Sequence, residues 1–219
     1  GLNYLALGLP FKKNSGWGGA FGFLPYSSTG YNESSLAVDS SGIGFNNQFT
    51  GTGGINKVFI GTGYDITPKI SFGANAAYLW GQRIDAKTVI FPDTLAYLPY
   101  KEDVTTYVRG FNFDLGFQFK DTLVKQDTSN NKLRPAIVHR FGATINMSTN
   151  MNISRDYFAR TFNAASVFQS TKDTIAIFTG ATESFRLPLG FAAGYSIEKI
   201  NNWLIGIEYR QTKWSSLSN

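Results

Sequence analysis

Alternation with period two runs through most of the chain and helical spacing is scarce, so the sequence predicts strands. The clearest run places Ile70, Phe72, Ala74, Ala76, Tyr78 and Trp80 on one face, against Ser71, Gly73, Asn75, Ala77 and Leu79 on the other. Tyr107, Phe111, Phe113, Leu115, Phe117 and Phe119 repeat it, with Thr106, Gly110, Asn112, Asp114, Gly116, Gln118 and Lys120 opposite. Phe185, Leu187, Leu189, Phe191, Ala193 and Tyr195 alternate with Arg186, Gly190, Gly194 and Ser196. Trp203, Ile205, Ile207 and Tyr209 alternate with Leu204, Gly206, Glu208 and Arg210, and Val58, Ile60 and Tyr64 with Lys57, Gly61 and Gly63. Trp17, Phe21 and Phe23 alternate with Gly18, Ala20 and Gly22. With two noisier segments, eight strands are expected, near residues 2–10, 16–26, 54–65, 69–82, 104–120, 135–148, 184–196 and 202–213.

The connections alternate in length. Short polar turns are expected at Lys12–Ser15, Asp65–Lys69 and Glu198–Asn202, and a longer one over Asp121–Arg134 with its tip at Asn130-Asn131. Between them lie long connections at 27–49, 84–103 and 149–182. Short and long connections in alternation are the pattern of an up-and-down barrel, with tight turns on one side and long loops on the other. The two faces differ in kind. A soluble sandwich carries many Lys and Glu along its outer face, but here the polar face is mostly Gly, Ala and Asn with isolated charges. Apolar side chains facing lipid and small or polar ones lining a lumen reverse the soluble rule, as a wide barrel does. Aromatics stand near both strand ends: Trp17, Tyr64, Tyr195 and Trp203 by the short turns, Tyr78, Trp80, Tyr107 and Tyr209 towards the long loops. Two such belts fit two membrane interfaces. The fold expected is therefore all-β, a transmembrane antiparallel up-and-down barrel, and a large soluble all-β domain is the competing reading.

Charge and composition narrow the chemistry. The 219 residues hold 20 Lys and Arg, 15 Asp and Glu, one His and no Cys, which excludes a disulfide scaffold, a zinc ribbon and a thiol enzyme. Charged residues make up only 16% and aromatics another 16%, so the chain is not disordered. No run approaches the roughly 18 apolar residues of a membrane helix. The net charge of +5 comes from basic residues scattered singly, with Lys12-Lys13 the only adjacent pair, so nucleic acid is not an expected partner. His139 is the only histidine, and no catalytic triad, metal site or cofactor is expected. The run Gly51-Thr52-Gly53-Gly54 lacks a following helix, so its glycines read as close strand approach or a bulge. Asp114 and Glu208 are the one candidate carboxylate pair, though nothing in the sequence places them together. No enzymatic activity is expected.

The ends of the eight-strand pattern both fall on the long-loop side, and Trp214–Asn219 lacks a closing aromatic. Residues 1–219 are accordingly expected to be a single barrel domain, incomplete at both ends. Phe23-Leu24-Pro25-Tyr26-Ser27-Ser28-Thr29-Gly30-Tyr31 and Asn3-Tyr4-Leu5-Ala6-Leu7-Gly8-Leu9-Pro10 resemble stretches of the FadL-type outer-membrane transporters for hydrophobic compounds. Gly51–Gly61, Ser71–Gly81 and Trp214-Ser215 are similar to the same family. The resemblance implies about eight strands of a 14-stranded barrel in the bacterial outer membrane. It also implies passive uptake of hydrophobic small molecules such as fatty acids. The partners expected are outer-membrane lipid, a hydrophobic small molecule and other envelope proteins. Barrels of that superfamily also serve as docking subunits, so a non-transporting accessory or scaffold barrel in a larger outer-membrane complex is the alternative.

Parity puts Lys57, Asn75, Asn112, Asp114, Gln118, Arg186, Glu208 and Arg210 on the polar, lumen-lining face. These groups either pair across the lumen, or Lys57, Arg186 or Arg210 holds the carboxylate of an amphipathic ligand. Pro25 has no N–H to give a ladder, so pairing is expected to break near residues 24–28. Either the strand ends there with Tyr26 in the aromatic belt, or, as the FadL-type register implies, Pro25 and Tyr26 mark a lateral gate.

Overall fold

A computed structural model describes residues 4–11, 15–92, 97–124, 137–163 and 170–216. They form one antiparallel sheet of ten strands: β1 Leu5–Pro10, β2 Trp17–Val38, β3 Gly44–Thr67, β4 Ile70–Ile90, β5 Tyr100–Val124, β6 Ile137–Asn146, β7 Thr149–Phe162, β8 Thr171–Leu187, β9 Gly190–Lys199 and β10 Trp203–Thr212. The only helical turn among the described residues is the 3₁₀ piece Trp214–Ser216. The expected turn residues Lys12–Asn14 and the tip Asn130-Asn131 lie outside the described residues.

The ten strands trace eight long rungs. β6 runs into β7 across Met147 and Ser148, and β9 follows β8 across Pro188 and Leu189. The lower half of β5 pairs with β6, from Asp114 opposite Asn146 downward, and its upper half pairs with β7, from Gly110 opposite Met151 upward. Below this level the order is β1-β2-β3-β4-β5-β6-β9-β10; above it β2-β3-β4-β5-β7-β8. β1 and β10 each pair on one side only, so the sheet is open among the described residues. Eight strands were expected and ten are present: β7 and most of β8 lie in the stretch expected as the connection 149–182, and the strand expected over 184–196 is divided between β8 and β9 at Pro188 and Leu189. The segments expected as long connections at 27–49, 84–103 and 149–182 are mostly strand, and β3 alone is 24 residues long. The β2–β3 connection shrinks to Asp39–Ile43, closed by the Asp39 N–H to the Ile43 carbonyl (2.9 Å) and by the Ser41 and Ile43 N–H groups on Asp39 Oδ1 (2.8 Å each). Gly42 supplies the left-handed residue (φ +82°) that such a turn requires.

A waist separates the tiers, and irregularities gather there. β2 slips by one residue against β3 between Pro25 and Ser27, with Tyr26 bulged, and continues to Val38. Pro25 thus shifts the ladder without ending the strand, because a bulge removes the need for the missing N–H. Opposite, Gly53 has φ +120°, and a Cβ on it would run into the Gln82 carbonyl. The Gly51–Gly54 run is a site of close strand approach. Gly110 leaves room for the Met151 sulfur, which would stand 2.6 Å from a Cβ there. Leu79, paired with Gly110, and Met151 are the most deeply buried large side chains, each 2% exposed. Burying each stabilises by about 1.5–3 kcal/mol.

The apolar face below the waist carries, on β4 and β5, the row Ile70, Phe72, Ala74, Ala76 and Tyr78 beside Phe119, Phe117, Leu115, Phe113 and Phe111. The expected alternation is present there. Many of its large side chains are more than a third exposed, Ile60 and Ile207 by 67% and 75%.

Candidate functional site

The opposite, small-residue face of the lower tier curls around a cavity of about 1360 Å³ that touches β1 at Gly8 and β10 at Gly206. Gly61, Gly73, Gly116, Gly142 and Gly194 contribute no side chain to it, so the few long polar groups dominate its chemistry. These sit where they do because register is continuous from β2 to β5 and from β5 through β6 and β9 to β10. Asn75 on β4 is opposite Asp114 on β5, which is opposite Asn146 on β6, and Gln118 shares a row with Gly142, Gly194 and Glu208.

Lys57 on β3 reaches diagonally across Ala77 to Asp114 Oδ2 at 3.4 Å. Both side chains are about five-sixths buried, at 17% and 16% exposure. The Asn146 side-chain amide donates to the other Asp114 oxygen, so one carboxylate ties β3, β5 and β6 together. Asn112, 8% exposed, lies beside this brace. Ala77 beneath it is 3% exposed, a depth that a Lys stem lying over it explains. Further round, Arg140 on β6 bonds Glu198 on β9 at 2.6 Å, and Arg210 bonds Glu208 on the same strand at 2.9 Å.

Seven of the eight residues placed by parity share this face: Lys57, Asn75, Asn112, Asp114, Gln118, Glu208 and Arg210. Arg186 does not. β8 pairs Arg186 with Asn150, to which its Nε donates at 3.2 Å, while Phe185 pairs Met151 on the face of Gly110 and Leu79. The cause is the bulge at Met147–Ser148: Asn146 opposes Asp114 but Met151 opposes Gly110, five steps against four. That extra residue swaps the two faces above it, and β8 follows β7. Phe185 and Leu187 consequently turn to the concave side, whereas Phe191 remains outside beside Ile145. Lys57, Arg186 and Arg210 do not converge into one anion cradle. Asp114 and Glu208 do not form a carboxylate pair either, since each has a cationic partner of its own. His139 packs edge-on between the rings of Phe119 and Tyr195 (5.8 and 6.1 Å).

Residues outside the expected set complete the arrangement. Arg140 and Asn146 alternate with Phe141, Ala143 and Ile145, a parity that was readable in the noisier strand. Above the waist, Tyr31 lies over Gly51 and donates to Asp85 at 2.9 Å, and Arg83 bonds the same carboxylate. The Asp85 bond, with a smaller share from burial and charge, holds the Tyr31 phenol above its ordinary value, and it raises Arg83 likewise. Tyr100 meets Tyr157 hydroxyl to hydroxyl at 3.3 Å and donates to Glu102, and that contact, then burial and the Glu102 charge, raises its phenol too. None of these groups forms a cluster of three or more His, Cys, Asp or Glu suited to a metal among the described residues.

A family model for BamG matches residues 1–219. That is a different family from the FadL-type transporters, so the resemblance read from Phe23–Tyr31 and Asn3–Pro10 is overturned as a statement of membership. The lateral gate at Pro25 and Tyr26 took its meaning from the FadL-type register and loses that support. No curated protein and no solved structure matches the chain.

Proposed function

The chain belongs to the BamG family, and from that premise we propose that it is a non-transporting accessory protein of the bacterial outer membrane, working with other envelope proteins of the Bam complex. The family match over the whole chain carries this reading. The concave face points the same way. Its Lys57, Arg140 and Arg210 each hold a carboxylate of the same chain, and the wall between them is glycine mixed with alanine, Thr144 and Gln118, which suits a braced support better than an apolar conduit. The expectation of hydrophobic uptake gives way to the accessory role, and we assign the chain no catalytic step and no cofactor.

Membrane insertion belongs to this proposal. On β4 the apolar band runs ten residue steps, Ile70 to Trp80, or about 33 Å along the strand. A barrel tilt of about 40° reduces that to about 25 Å, the height of an outer-membrane apolar band. Backbone groups in lipid must all be paired, so the free edges of β1 and β10 are paired in the membrane, by each other or by further strands, as a closed barrel. The test is a deletion strain complemented with the tagged protein. Co-isolation of Bam-complex proteins and unchanged uptake of a labelled fatty acid are expected; lost uptake with no co-isolated envelope protein would overturn the proposal.

A further inference from the structure

The glycines of the concave face are of two kinds. Gly61 gives way to the Asn75 side chain and Gly22 to the Phe59 ring, so neighbours of the same chain use the room. Gly63, Gly73 and Gly116 are different. They follow Gly18 in one row across β2, β3, β4 and β5, and none of the four has a left-handed φ. A Cβ on Gly63, Gly73 or Gly116 would meet only a carbonyl oxygen of the neighbouring strand, at 3.7, 3.4 and 3.9 Å, which is ordinary contact. Alanine fits at all three, and glycine inside a strand weakens it. The sheet by itself has no need of them. Glycine in such a place lets another backbone approach closely.

A second observation stands above that row. Asn112 is 8% exposed, yet its side chain bonds nothing among the described residues. Thr149 Oγ1 is buried and equally without a partner. Each lies two residues from the ladder pair Gly110–Met151, on the concave side, in the gap before the β5 ladder resumes at Asp114–Asn146. Asp114 itself is taken by Lys57 and Asn146. Buried polar groups are rarely left unbonded, and a carboxamide calls for a partner that both accepts and donates. A water would satisfy Asn112 and Thr149 but leaves the glycine row unexplained. A polypeptide main chain answers both, because it brings N–H and C=O groups and lies flat where the wall has no Cβ. Asn112 stands four residues from Gly116 along β5, about 13 Å, a span that about five residues of extended chain cover. We propose that a short extended segment of a partner envelope protein lies against this face, its main chain on the glycine row and its far end bonded to Asn112 and Thr149. The proposal rests on the accessory reading and gives it a contact surface.

The chain has no cysteine, so single cysteines report cleanly. Thr144→Cys, in the same row as Gly116, is placed in the full-length tagged protein and treated in its native membrane with a maleimide–diazirine crosslinker. The joined peptides are then mapped. They are expected to come from one stretch of one co-isolated Bam-complex protein, which Ile205→Cys on the outward face does not reach. The decisive variant is Gly73→Ala with Gly116→Ala. Its urea midpoint is expected to hold or rise, while recovery of that protein falls several-fold. Asn112→Leu is expected to lower recovery as well, and Thr149→Val serves where the leucine variant does not fold. Crosslinks confined to this chain, or none, would leave the face to the chain itself or to water and overturn the proposal. Wild-type recovery in the alanine variant, or a fall in its midpoint, would make the glycines structural and overturn it too. Either result leaves the accessory reading intact. If the unsubstituted protein co-isolates no envelope protein, that reading falls as well.

Discussion

Below the waist the outward face is Ile70, Phe72, Tyr78, Phe111, Phe113 and Leu115; above it, the same strands at the same parity present Thr88, Ala86, Thr105 and Asp103. Register runs unslipped across the waist from β3 to β4 and from β4 to β5, although Gly53 is left-handed there and β5 changes partner from β6 to β7. The side chains on the outward face are what differ most. Packing does not follow the same divide. Glycines admit neighbouring side chains in both tiers, Phe59 and Asn75 below, Met151 at the waist and Tyr31 above. Ala159 and Phe162 on β7 above the waist are among the most buried side chains, and the exposed Tyr31–Asp85 bond adds a polar tie there.

The largest effect is expected at the junction. Gly53→Val forces a branched side chain onto φ +120° and against the backbone of Gln82, costing roughly 2–6 kcal/mol, while Thr52→Val next to it is nearly neutral. Urea unfolding in lysolipid micelles measures both, and equal midpoints would show that the waist is not constrained. The sharpest probe of whether the two outward faces meet different solvents is a charge on each. Leu115→Arg, in mid-band, is expected to cost about 2–4 kcal/mol in a bilayer, and Thr105→Arg, above the waist, less than about 0.5 kcal/mol. If both are neutral in vesicles, the apolar band does not meet lipid.

The brace across the concave face comes next. Lys57→Met leaves Asp114 with a bond from Asn146 but no cation, and about 1–3 kcal/mol is expected to be lost. The double variant with Asp114→Asn is expected to recover part of that loss, and strict additivity in the cycle would deny the contact. The smallest effect concerns Tyr31 in the upper tier. Its phenol is raised in the folded protein, so the Asp85 bond contributes fully below the ordinary value near about 10 and is lost as pH rises through the folded value. The phenolate difference spectrum between the protein and Tyr31→Phe is expected to move to lower pH in Asp85→Asn. An unmoved titration would remove this tie between β2 and β4.

The apolar and polar faces of the lower tier and the close approach at Gly53 were legible in the chain. Each depends on contrast between neighbouring residues, and contrast is what period two records. The upper tier was not legible. Residues 27–38 of β2 are mostly polar or small, with Tyr31, Leu36 and Val38 falling on no single face, and a strand without steady contrast reads as loop. Arg186 shows the other limit. Its parity assumed one unbroken strand over Phe185–Ser196, but the faces swap within that run at Pro188–Leu189, matching the inserted residue at Met147–Ser148 on the neighbouring rung. Such a slip carries no local signature, because the pairing partner decides it. Sequence thus determined where the wall has one apolar and one small or polar face, and where it does not. The tertiary structure decided how tall the wall stands, and which partner each charge on its concave face would find, because both depend on register between strands far apart in the chain.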